Sequence, residues 1–108
     1  MVIEKLRVNH LENPLGYRLD GLSLSWLVRE AAGSHTAKTR VCIALDEAMK
    51  RLVHDSGERA DISSVDYAPA LLLVPETRYF WQVEVWDDAG DYGKSAAAFF
   101  ETPAELKS

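Results

Sequence analysis

Hydrophobic and polar residues alternate along several short stretches of this 108-residue chain, and the longest such run begins at Tyr79. Tyr79, Trp81, Val83 and Val85 fall on one side of an extended chain, and Phe80, Gln82, Glu84 and Trp86 on the other. A period of two is what a strand with one buried face imposes. Leu22, Leu24, Trp26 and Val28 repeat the pattern. So do Val41, Ile43 and Leu45, with Arg40, Cys42 and Ala44 turned outward. Ile3 to Val8 is a further short strand, with Ile3 and Leu6 or Val8 available for burial. Val53–Asp55 and Asp61–Val65 read as short strands, and Lys94–Glu101 as the last one.

Turn residues punctuate these runs. Asn13-Pro14-Leu15-Gly16 combines a fixed φ with a glycine, Ala32–His35 and Ser56-Gly57 interrupt the alternation, and Asp87–Asp91 reads as a hairpin turn. Asp46–Leu52 has helix formers behind an Asp that can cap them, but it is too short for a stable helix. No segment keeps a helical period. About seven short strands separated by turns predict an all-β, antiparallel, immunoglobulin-like β-sandwich. Pro69 and Pro75 flank Leu71-Leu72-Leu73, and Pro75 precedes Tyr79 by four positions. A tyrosine at the start of the penultimate strand, bonding back to upstream backbone, is the tyrosine corner of such sandwiches. The sandwich is expected over residues 1–103, with 104–108 as the start of a linker.

Length and charge narrow the function. A chain of this size buries one core and has little room for a catalytic cleft. Seventeen acidic against 12 basic residues give a formal charge of −5, and the basic residues are scattered. That argues against nucleic-acid binding, which needs a basic face. No apolar run is long enough to span a bilayer, so no membrane partner is expected. Cys42 is the single cysteine, which excludes an internal disulfide and a multi-cysteine metal site. No secretory leader is visible, so a cytoplasmic location is the simpler expectation; a secreted parent chain would be compatible with the same features.

Leu73-x-Pro75-x-Thr77-x-Tyr79-x-Trp81-x-Val83-x-Val85 together with Trp26 resembles a fibronectin type III domain, in which a tryptophan of the second strand packs near the tyrosine-corner strand. A narrower resemblance joins it. Leu6–Gly16, Ser25-Trp26, Asp55-Ser56-Gly57, Thr77–Asp87 and Phe100-Glu101-Thr102 are similar, in order, to the first domain of bacterial α-L-rhamnosidases of glycoside hydrolase family 78. Tyr17–Gly21 departs from that pattern in lacking a proline-rich approach to the second strand. The resemblance implies a non-catalytic accessory module of an inverting glycosidase. The family's catalytic carboxylates lie in a separate helical barrel, and no residue here matches them.

Residue by residue, the chemistry is thin. Glycosidases need two carboxyl groups facing each other across a sugar, and the acidic residues here fall mostly in turns and at outward positions. Asp87, Asp88 and Asp91 suggest a Ca²⁺ loop only weakly, because the full spacing and a distal Glu are missing; a solvated turn is the better reading. His10, His35 and His54 have no metal-ligand spacing, and Cys42 has no evident base beside it. No catalytic residue, cofactor or metal site is expected. The outward aromatics remain. Phe80 and Trp86, with Arg40 on the neighbouring strand, form the candidate contact face, because exposed aromatics often mark interaction surfaces. Its expected partners are other domains of the same polypeptide. A carbohydrate-binding module and a stand-alone interaction domain are the alternatives.

Overall fold

The computed structural model describes residues 1–8, 22–69 and 74–102. Seven strands are present among them: β1 (Val2–Val8), β2 (Leu24–Arg29), β3 (Thr36–Ala44), β4 (Leu52–Asp55), β5 (Arg78–Asp87), β6 (Tyr92–Lys94) and β7 (Ala98–Glu101). They form two antiparallel layers. One pairs β1 with β2, and the other runs β4-β3-β5-β6 with β7 also on β5. The expected immunoglobulin-like sandwich is the observed fold. The expected turn at Asn13–Gly16, the Leu71–Leu73 approach and the proposed linker lie outside the described residues.

The alternation seen at Tyr79 decides the core. Tyr79 is 1% exposed, and Trp81, Val83 and Val85 are fully buried. Val8, Leu24, Val41, Ile43 and Phe100 close around them. Trp26 meets Trp81 edge-on, with ring centroids 6.5 Å apart, and Tyr79 stacks on Phe100 at 5.2 Å. Aromatic pairs at such distances add to the area they bury. The Tyr79 hydroxyl accepts a hydrogen bond from the Val74 N–H at 2.8 Å, which completes the expected tyrosine corner.

Three expectations are corrected. Leu45 lies past the end of β3 and is 39% exposed, so it is not an inward residue. Asp61–Val65 forms no regular strand. The backbone beside it bonds to β2 through Tyr67, which exchanges hydrogen bonds of 2.7 and 2.9 Å with Leu24, and through the Ser64 carbonyl, which accepts the Trp26 N–H. The expected last strand, Lys94–Glu101, is a strand only over β7, while Lys94 closes β6. Ser95 causes the break: its hydroxyl takes the Val83 N–H at 3.0 Å, where a continuous strand would offer a carbonyl. Asp46–Leu52, expected to be too short for a stable helix, makes an irregular turn. The Asp46 carboxylate accepts the N–H groups of Lys50 and Arg51, and Leu52 already belongs to β4.

One irregularity shapes the edge of the first layer. The β1–β2 register shifts between Glu4 and Arg7, where Lys5 has φ 54°. A residue in that left-handed conformation is characteristic of a bulge, which bends a strand and ends its pairing.

Candidate interaction face

The register places the outward side chains of the larger sheet in rows. Leu52, Ala44, Phe80 and Phe99 stand side by side across β4, β3, β5 and β7. Arg78 and Glu101 form a row at one flank of this one. Asp55, Cys42 and Gln82 come next on the other flank, then Arg40, Glu84 and Lys94, and finally Lys38, Trp86 and Tyr92. Phe80, Arg40 and Trp86 therefore share a face. They do not form one patch, because Phe80 and Trp86 are about 20 Å apart at the usual strand rise.

Each end has its own covering. The Lys38 ammonium sits 5.0 Å from the Trp86 ring centre, and Tyr92 packs against Trp86 at 5.1 Å with a tilt of 47°. Lys38 in turn pairs with Glu58. At the far end, Phe80 meets Phe99 at 6.5 Å, and the Arg78 guanidinium lies 4.5 Å over Phe99. Arg78 is itself held by Glu101 at 2.7 Å.

Between the two ends, Arg40 grips Asp55 with both arms, Nε to Oδ1 at 2.9 Å and Nη2 to Oδ2 at 2.6 Å, and approaches Glu84 at 3.8 Å. The hydrogen bond to Arg40 holds the Asp55 carboxyl well below its usual range, and the hydrogen bond to Asp55 keeps Arg40 firmly protonated. Cys42 lies under this clasp, 8% exposed, and burial pushes its thiol up to about 11. A thiol so shifted is a poor nucleophile.

The aspartates of the hairpin turn are a staple rather than a solvated loop. Asp87 is 4% exposed and accepts the N–H groups of Gly33 at 2.7 Å, Asp91 at 2.8 Å and Ala89 at 2.9 Å. Asp88 takes Ser34 and His35, and Asp91 takes Ala32. The Met1 ammonium lies 3.3 Å from Asp91. Burial pushes the Asp87 carboxyl up, but its three N–H donors outweigh that and it titrates below the usual range. These oxygens face backbone donors, which cations do not replace. Among the described residues no group of three or more His, Cys, Asp or Glu is disposed to hold a metal.

Two surface grooves among the described residues are lined by glutamates. An open groove of about 380 Å³ runs between the β1 bulge and residues 96–98, lined by Ile3–Leu6 and Ala96–Ala98. Glu4, its carboxylate, is held by Arg29 at 2.6 Å. A second groove, lined by Glu76, Thr77, Arg78, Glu101 and Thr102, has Glu101 tied to Arg78. Neither presents two free carboxylates across a gap.

Residues 3–104 match the family described as Rha78A-like, N-terminal immunoglobulin domain. The chain belongs to that family. An α-L-rhamnosidase of Streptomyces avermitilis is 38% identical to it over 101 residues, which are 88% of this chain and 10% of the relative. The crystal structure of a Streptomyces avermitilis α-L-rhamnosidase complexed with L-rhamnose superposes with a TM-score of 0.77 at 33% identity, over 94% of this chain and 10% of that one. The α-L-rhamnosidase from Dictyoglumus thermophilum gives 0.79 at 22% identity, over 95% and 12%, a likeness of fold. This member of the Rha78A-like N-terminal immunoglobulin family thus spans about a tenth of the length of the relatives it matches.

Sequence reasoning placed Phe80, Trp86 and Arg40 on their common face but missed three features. The Asp87 staple depends on the 31–35 loop arriving beside the hairpin. The apolar row depends on Leu52 pairing with Ala44, whereas Leu52 reads as part of a link. Ser95 gave no signal beyond being a polar residue inside an otherwise regular strand.

Proposed function

We propose that this domain is a non-catalytic N-terminal module of an α-L-rhamnosidase-like glycoside hydrolase, and that its work is to pack against the rest of that polypeptide. The observation that carries the reading is the proportion of the match. Nearly all of this chain aligns with a tenth of the rhamnosidases, in a region described as an N-terminal immunoglobulin domain. Cleavage of a glycosidic bond requires paired carboxyl groups, and the acids lining the two main grooves are engaged by arginines or stand alone. The bond-breaking residues, with the inverting mechanism expected of the resemblance, then belong to the remainder of the parent enzyme.

The carbohydrate-binding alternative requires a flat aromatic platform. Trp86 and Tyr92 are tilted by 47°, and the Lys38 ammonium occupies the space over the Trp86 ring. That arrangement disfavours sugar stacking on Trp86.

The test is a comparison of the parent enzyme with and without this domain on a chromogenic α-L-rhamnoside. Loss of thermal stability, with kcat/KM little changed while the truncated enzyme stays folded, is the expected result. Hydrolysis by residues 1–108 alone would overturn the non-catalytic assignment. Saturable micromolar binding of L-rhamnose to these residues would replace it with sugar recognition.

A further inference from the structure

We infer that the apolar row Leu52–Ala44–Phe80–Phe99, at the end of the sandwich where β7 leaves it, seats the succeeding part of the parent polypeptide. The inference rests on the packing role proposed above and states which part of the face does the packing.

Three observations converge on that end. The first is exposed apolar surface. Leu45 is 39% exposed, Leu52 43%, Val53 40% and Val74 57%, at the β3–β4 connection and ahead of β5; within the row Leu52 is exposed, Phe80 and Phe99 are half-buried and Ala44 is buried. Only Tyr92, at 44%, is comparably exposed beside Trp86. Gathered apolar side chains on a small domain mark a contact more reliably than scattered ones.

The second is the exit of the chain. Thr102 is 4% exposed and is clamped: its N–H goes to the Thr77 carbonyl at 3.0 Å, and its hydroxyl donates to the Val74 carbonyl at 2.6 Å and accepts the Thr77 N–H at 2.9 Å. Thr102, the last described residue, is therefore a fixed point beside Val74 and three residues along the chain from Phe99. In the relatives the matched region is N-terminal and covers 10% of the chain, so most of the polypeptide lies beyond this exit. A fixed exit gives the succeeding polypeptide a high effective concentration at the adjoining surface and a much lower one about 20 Å away at Trp86.

The third is charge. Two ion pairs flank the row, Arg78 with Glu101 on one side and Asp55, held by Arg40, on the other. The partner surface over the row is accordingly apolar, because a charge placed on it would find both flanking ion pairs already made and would be desolvated. A second copy of this domain is the competing occupant.

Hydroxyl-radical footprinting of the unsubstituted full-length parent enzyme tests the assignment. Leu45, Leu52, Val53 and Val74 are expected to react about tenfold more slowly than their exposure in the domain implies, while Tyr92 and Val65 react at the exposed rate. Maleimide labelling of Leu52→Cys and Tyr92→Cys in the same enzyme, with the buried Cys42 silent, is expected to show the same contrast. Protection at Tyr92 with free reaction at Leu52 overturns the placement and leaves the packing role standing. Full reaction at both, and at Leu27 and Val65 on the opposite layer, overturns the packing role itself. Protection at Leu52 that disappears on dilution assigns the row to a second copy and overturns the occupant.

Discussion

Tyr79 holds the corner through a single hydrogen bond, the one its hydroxyl accepts from Val74. Tyr79→Phe keeps the ring stacked on Phe100 and strands a partly buried N–H, so it should cost about 1–2 kcal/mol in the denaturant midpoint. Trp81 presents the opposite case. Its ring is fully buried and its indole N–H has no partner among the described residues. Trp81→Phe removes that unpaired donor while keeping an aromatic ring. It should therefore cost well under half of Trp81→Ala, for which about 3–5 kcal/mol is typical of a buried aromatic. A Trp81→Phe cost equal to that of Trp81→Ala would show that the indole is satisfied. Cys42 gives a chemical readout. With its thiol pushed up to about 11 by burial, it should react with Ellman's reagent at pH 8 at least about a hundredfold more slowly than after denaturation.

At the scale of elements, hydrogen bonds from side chains do what strand pairing does not. The Asp87 staple joins the 31–35 loop to the β5–β6 hairpin, so Asp87→Asn should lower the unfolding temperature more than Asp88→Asn, whose carboxylate serves two exposed donors. Acid sensitivity arises from the same kind of group. Asp46, Asp55, Asp87 and Asp91 all titrate below their ordinary value in the folded chain. The unfolded chain takes up those protons first. Their contribution is complete above about pH 4 and is lost as the pH falls further. His54 adds an earlier step. Burial lowers its pKa below 6.5, against the opposing pull of Asp55, while its Nε2 lies 2.7 Å from the Tyr67 hydroxyl. The unfolded chain again binds the proton first, so stability should begin to fall as the pH drops through about 6.5. A pH series of urea midpoints should show both limbs, and His54→Gln should remove the upper one. The strand alternations were legible in the residues because burial on one face enforces them. The Ser95 break and the irregular 61–67 segment were not, because each depends on which backbone donor a neighbouring strand leaves free.

At the scale of the whole molecule, the proposed role makes the domain a small part of a larger enzyme, and its value to that enzyme should appear as coupling. Deleting it from the parent is expected to merge, shift or remove a thermal transition rather than abolish turnover, and calorimetry of the two forms measures this. The proposed interface end is set by geometry that runs across the sheet. Leu52, Ala44, Phe80 and Phe99 come from four strands and are distant in sequence. Periodicity can say that each points outward; it cannot say that they adjoin. By itself the sequence determined the sandwich, its core face, its tyrosine corner and the resemblance to rhamnosidases, because these arise from residue types at short, regular spacing. Only the tertiary structure decided that Phe80 and Trp86 lie at opposite ends of one face, that the hairpin aspartates bind backbone, and that the apolar row borders the exit at Thr102. Pairing register and loop contacts join residues far apart in the chain, and no local pattern encodes them.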